Sequence, residues 1–123
     1  MNLPAIIQEH FQHPRHVGSL ALAANICRIE VNSPNTSRHV ILYAALANHT
    51  IRQVRYQVRG CPYTIATFSY VADWCVGKPL ASVAELNRKT LIKILELPAT
   101  KVHCAAMAED ILQQLQRQGE MIW

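Results

Sequence analysis

What the chain lacks narrows it first. Its 123 residues hold no apolar run as long as a membrane span, because charges and prolines interrupt every candidate. The first residues lack the basic-then-apolar layout of a signal peptide, so the expectation is a soluble protein of the cytoplasm. Only 16% of residues are charged against 50% hydrophobic, which excludes a disordered chain and leaves a globular one. There is no Lys/Arg block and no glycine-aromatic motif of a base-stacking sheet. The net charge of +4 and the pI near 9.1 therefore point to a solvated basic face, or a patch for an acidic protein, and not to nucleic acid. No CxxC pair is present, which excludes a zinc ribbon or finger. No internal repeat, low-complexity tract or linker divides the chain. We read one domain over 1–123, with residues 1–24 as its candidate mobile segment.

What is present falls into two halves of different period. Residues 3–12 read as a short helix, with Pro4 in its first turn, Ile6, Ile7 and Phe11 as an apolar stripe, and His13-Pro14 as its end. From Ile26 the period is two: Cys27, Ile29 and Val31 alternate with Arg28, Glu30 and Asn32. Val40 to Leu46 reads as a central strand, and Asn48-His49 breaks it. Thr50 to Arg59 reads as a third strand, with Val54, Tyr56 and Val58 on one side. Past Gly60 the period becomes helical. Ile65, Phe68, Ala72 and Cys75 form a stripe that ends at Gly77. Ser82 is the expected cap of a short helix over 83–87, and Thr90 the expected start of another through Leu95. The last helix is predicted from Val102 to Gln118, with Cys104, Ala108, Ile111 and Leu115 on one stripe. The fold class is α+β: a three-stranded antiparallel sheet with helices packed on one face.

The four cysteines are Cys27, Cys61, Cys75 and Cys104. A chain of this length without a secretory signal needs no disulfide staples, so free thiols or metal ligands are expected. Cys61 precedes Pro62 at a helix start, where unpaired N–H groups and the helix dipole favour the thiolate. Cys104 has a similar setting, and His103 beside it adds an imidazole able to ligate metal. Adjacent helical positions point about 100° apart, so His103 and Cys104 converge on one ion only in a frayed first turn. The same divergence opposes a Cys-His dyad within the pair. Cys75 and Cys27 fall on apolar faces and read as core. Cys27 stays a weaker ligand candidate, because a loop follows soon after it. The remaining histidines, His10, His13, His16, His39 and His49, show no ligand spacing and read as surface or loop residues.

Several of these stretches carry a resemblance. His10-Phe11-Gln12-His13-Pro14-Arg15-His16-Val17-Gly18-Ser19 is similar to a His-Tyr-x-x-Pro-x-Asn-x-Gly segment. Leu97-Pro98-Ala99-Thr100-Lys101-Val102-His103-Cys104 is similar to a Leu-Pro-Pro-Val-Lys motif running into a cysteine. Gly60-Cys61 stands ahead of a helix ending Asp73-Trp74-Cys75-Val76-Gly77-Lys78. Over nearly its whole length the chain resembles the iron–sulfur cluster assembly scaffold family, meaning IscU and the N-terminal domain of NifU. The spacing of Cys61 and Cys104 suits the IscU type and leaves no room for the insertion typical of SufU proteins.

The resemblance implies a scaffold and not an enzyme. In that family three cysteines, an aspartate and the histidine hold a nascent 2Fe–2S cluster, iron or zinc. It assigns Cys61, His103 and Cys104 as metal ligands. It assigns Leu97, Pro98 and Lys101 to partner binding, with a cysteine desulfurase and an Hsp70-type chaperone as partners and no nucleic acid or membrane. Counting back from Cys61, the first cysteine's place falls on Asn35 and the aspartate's on Ser37, which are weaker candidates because an amide and a hydroxyl are not thiolates. Two readings follow: a carrier of metal or cluster on two cysteines and a histidine, and a degenerate paralogue that is only a protein-interaction module. A third, a thiol enzyme, has no base placed by the sequence.

Overall fold

The computed structural model describes residues 3–33 and 38–122, so Asn35 and Ser37 lie outside the described residues. The period-two stretches form an antiparallel sheet in the order β1 (Ile26–Ser33), β2 (Arg38–Ala47), β3 (Thr50–Arg59). Because the side-chain period is two, register decides the face. Cys27 pairs with Ala44 and Ala44 with Val54; Ile29 pairs with Leu42 and Leu42 with Tyr56. All six are buried on one face. Asn48 and His49 both take positive φ, of 52° and 60°, as a two-residue type I′ hairpin loop requires. A register shift follows at once: Leu46 pairs with Ile51 but Ala45 with Gln53, making Arg52 an extra residue. The bulge returns Ile51 to the core and leaves Arg52 and Gln53 both exposed.

The helices cover the apolar face. α1 (Ala5–Gln12) starts after Pro4 and stops at His13, and packs on α2 (Pro62–Cys75). Between them, residues 16–18 are stitched to β3. The Tyr56 N–H donates to the His16 carbonyl at 3.2 Å, and the Gly18 N–H to the Tyr56 carbonyl at 2.9 Å. α2 lies among α1, β3 and α4, and this changes its expected pattern. It is buried on nearly every side, including Tyr63, Thr64, Ala66, Thr67 and Ser69, while Ile65 of the expected stripe is only half-buried. Gly77 follows with φ +86°, a conformation that glycine adopts without cost, and its N–H donates to the Ile51 carbonyl at 2.8 Å.

Two caps differ from expectation. Ser82 caps nothing: Leu80–Glu85 is a 3₁₀ helix entered from Pro79. The next helix, α3 (Arg88–Leu95), begins earlier than Thr90 because the Asn87 side chain accepts from the Thr90 N–H at 2.9 Å. A 3₁₀ turn at Ala99–Lys101 then feeds α4 (Val102–Glu120), whose stripe of Cys104, Ala108, Ile111 and Leu115 is fully buried as the period predicts. No described helix is long and apolar enough to cross a membrane. The outer face of the sheet is left uncovered by the helices.

Candidate metal and sulfur site

Gly60 ends β3 and Pro62 opens α2, which leaves Cys61 as the N-cap residue with extended backbone. Its thiol stands over the first turn of the helix, where backbone N–H groups lack intrahelical acceptors. Its Sγ lies 3.5 Å from Thr64 Oγ1, and Lys101 Nζ donates toward it at 3.6 Å. Burial pushes the Cys61 thiol up, but the Thr64 hydroxyl, the nearby first-turn amides of Thr64 and Tyr63 and the Lys101 charge outweigh it. The net result is a thiol held below its ordinary value. The Lys101 ammonium also lies over the Tyr63 ring at 5.7 Å, which fixes it above the helix start.

The second cysteine comes from α4. Leu97 is buried and its N–H donates to the Ile92 carbonyl, pinning the turn to α3. The Lys101 N–H donates to the Pro98 carbonyl at 2.8 Å, closing the 3₁₀ turn that aims α4. Cys104 then enters the core with 0% exposure, and its Sγ lies 3.5 Å from the same Thr64 Oγ1. One hydroxyl thus bridges two thiols, which are no further apart than twice that distance. An ion bonded to both sulfurs at about 2.3 Å would hold them no more than about 4.6 Å apart, a separation within reach of thiols that share one hydroxyl.

Not every expected residue arrives. Among the described residues no three of His, Cys, Asp and Glu are grouped so as to hold an ion. His103 and Cys104 sit in a regular first turn, so their side chains diverge: Cys104 turns inward, while His103 is half-buried with its Nε2 withdrawn from solvent. Cys27 is not brought to the pair. It is 4% exposed and level with Val54, five residues from Arg59, which is about 16 Å along a strand. Burial pushes the Cys27 thiol up, and the Cys75 thiol up to about 12, so both behave as core. Of the partner-binding candidates, Pro98 is exposed, Lys101 turns toward Cys61, and Leu97 is withdrawn into the core as the anchor of the turn. Asn35 and Ser37 lie outside the described residues.

Two participants escaped the sequence reading. Thr64 is fully buried between the thiols, and Gly60 makes room for it: a Cβ on Gly60 would meet the Thr64 side chain at 2.9–3.0 Å. The available signal was spacing, since Thr64 stands three residues after Cys61 and so on the same side of the first turn. His10 was expected at the surface and is instead 7% exposed. It sits edge-on to Tyr70 and bonds Ser69 Oγ at 2.8 Å, while the Arg15 N–H donates to the same oxygen at 3.0 Å.

This fold has counterparts. A family model described as the NifU-like N-terminal domain matches residues 4–117. The chain is 30% identical to the iron sulfur cluster assembly protein 1 of Trachipleistophora hominis, over 91% of this chain and 82% of that one. It is 31% identical to the iron-sulfur cluster assembly scaffold protein IscU of Haemophilus influenzae, over 85% of each. The solved structure of a NifU-like protein (N-terminal) from Brucella abortus superposes with a TM-score of 0.75 over 96% of this chain and 94% of that one. At 14% identity that likeness speaks for the fold alone. With a match running from before α1 into α4, the chain belongs to the NifU-like N-terminal domain family, whose relatives include the IscU scaffolds.

Proposed function

We propose that the chain is an iron–sulfur cluster assembly protein of the scaffold type, not an enzyme, that takes iron or zinc weakly, or a 2Fe–2S cluster as cargo. Cys61 and Cys104 are the sulfur donors and His103 the third. The observation that carries this reading is the pair of thiols flanking one threonine hydroxyl, with an ammonium beside the more exposed sulfur. Lys101 favours the thiolate at Cys61, the form that binds metal or accepts sulfur. Thr64 keeps both sulfurs on one side of the α2 start, and Gly60 keeps Thr64 there. Three protein donors with one open position suit a transferable metal. For His103 to join, the first turn of α4 must loosen, because adjacent helical positions point about 100° apart. Anaerobic reconstitution with iron and sulfide, with metal analysis of the purified chain, tests the reading. Wild type is expected to retain metal that Cys61→Ser and Cys104→Ser lose. If wild type retains none, the carrier reading fails.

A second reading has its own support. No three-donor group forms among the described residues, and Asn35 and Ser37 stand where the family carries a thiolate and a carboxylate. A chain so altered would serve as an interaction module toward a cysteine desulfurase or an Hsp70-type chaperone, presenting Pro98 and its neighbours. Complex formation with a cysteine desulfurase by a chain that carries no metal supports this; absence of any complex removes it.

A further inference from the structure

The charge of this molecule is not spread over it. Residues 26–60, which make the sheet, hold five of the 12 basic residues and one of the eight acids, so seven of each sign remain elsewhere. The whole net charge of +4 therefore belongs to the sheet. The inward positions Cys27, Ile29, Val31, Val40, Leu42, Ala44, Val54, Tyr56 and Val58 are apolar, so Arg28, Glu30, Arg55 and Arg59, on the alternate positions, stand on the face that the helices leave open. Register arranges them in rows. Arg28, Tyr43 and Arg55 lie side by side across the strands, and the next row is Glu30, Ile41 and Gln57. Arg59 closes the same face beside His39. The Arg28 guanidinium lies over the Tyr43 ring at 5.9 Å, and Ile41 and Tyr43 are half-buried in the middle strand.

We propose that this open face, with Arg28, Arg55 and Arg59 around Ile41 and Tyr43, docks an acidic protein in a transient, salt-sensitive complex. Arginines around an apolar and aromatic centre match the composition of protein interfaces. Phosphate backbone is the poorer fit. Glu30, held by Arg28 at 3.1 Å and by His39, places a carboxylate inside the patch, and the centre offers no positive charge. The size sets the strength. Three strands about 4.8 Å apart and some ten residues long give a face of roughly 400–500 Å², below the ~800 Å² per partner of a standard stable complex. Charge complementarity at such a face raises the association rate more than the residence time. The surface comes within two residues of Cys61 at Arg59, while its middle, Arg28, Tyr43 and Arg55, lies further along the strands.

The test is a titration of the isotope-labelled whole chain, followed by nuclear magnetic resonance, with poly-L-glutamate and in parallel with a short duplex DNA. Shifts with poly-L-glutamate are expected at outward residues of β1–β3, including the Arg28, Arg55 and Arg59 Nε–H signals, and not at Lys89 and Lys93 of α3. Binding should weaken at least tenfold at roughly 0.5 M salt, where the Debye length is only a few ångströms. Arg28→Glu with Arg59→Glu should lose the shifts at an unchanged melting temperature, and Gln57→Arg, which adds charge at the centre, should tighten binding. Equal shifts on α3 would reduce the face to unspecific attraction. Tighter binding of the duplex at the same salt would make it a nucleic-acid surface, and no shifts at low salt would remove the docking surface altogether.

Discussion

At Cys61 a burial cost and four favourable contacts compete, and the contacts win, leaving the thiol below its ordinary value of 9.0. A lowered thiol value means that the folded state prefers the thiolate. That contribution to stability is fully present above about pH 9 and is lost as pH falls through the folded value. Reactivity follows the same form. Iodoacetamide should label Cys61 at a pH where a free cysteine is still protonated, while Cys27, Cys75 and Cys104 stay unlabelled because they are buried. Lys101→Met and Thr64→Val should each move the labelling midpoint upward, read from rate against pH; an unmoved midpoint would remove that residue from the account. His10 runs the opposite way. Burial and then Arg15 hold its imidazole below 6.5, so above that pH both folded and unfolded chains carry it neutral and full stability is present. Below it the unfolded chain takes up the proton first and stability is lost. The melting temperature should therefore fall as pH drops from about 7 to about 5.5, and His10→Gln should flatten that slope.

The turn between α3 and α4 is the element that presents the site, and it contains a correctable cost. Glu96 ends α3 with φ 52° and ψ 47°, a left-handed conformation in a non-glycine residue, and it places a carboxylate at the negative end of the helix dipole. Glu96→Gly removes both and should stabilise the chain by about 1 kcal/mol in urea unfolding, with the labelling rate of Cys61 unchanged. The elements also divide by how far they could be read. Strand alternation and the α4 stripe were legible because burial on one face writes a period into the sequence, and the type I′ turn at Asn48-His49 falls where that alternation breaks. Thr64 was not legible. A threonine three residues into a helix looks like any other, and its place between two sulfurs depends on α4 arriving from forty residues away. His10 was misread for a related reason: its partner Ser69 lies on α2, 59 residues on. The Asn87 cap was missed because Thr90 was read as the start of α3, and the packing against α4 adds to the earlier start. There Glu109 holds the Arg88 N–H and guanidinium, each at 2.9 Å.

Across the whole molecule, one contiguous core runs from Ile7 on α1 through the sheet to Leu115 on α4, and Cys104 belongs to it, with Thr64 buried beside it. A ligand held by both thiols would tie the start of α2 to the start of α4, so binding should be felt by the entire fold. Mass action gives the size: a ligand that binds only the folded chain adds about 2.7 kcal/mol at a hundredfold excess over its dissociation constant, which for a domain of this length is a rise of several degrees. Zinc added to the reduced chain should therefore raise the melting temperature of wild type. Cys61→Ser and Cys104→Ser should each abolish the rise, since a single remaining thiolate leaves too few donors. Cys27→Ala serves as the control that decides between core and ligand. Removing a buried sulfur lowers the starting temperature whatever its role, but a core residue leaves the zinc increment intact, whereas a ligand takes the increment with it. We expect the increment to survive, because Cys27 sits level with Val54 at the middle of the sheet and Cys61 lies beyond its end. An increment lost with Cys27 would mean that β1 reorganises to supply a third sulfur. A wild type without any increment would count against a zinc site on these thiols and favour the interaction-module reading.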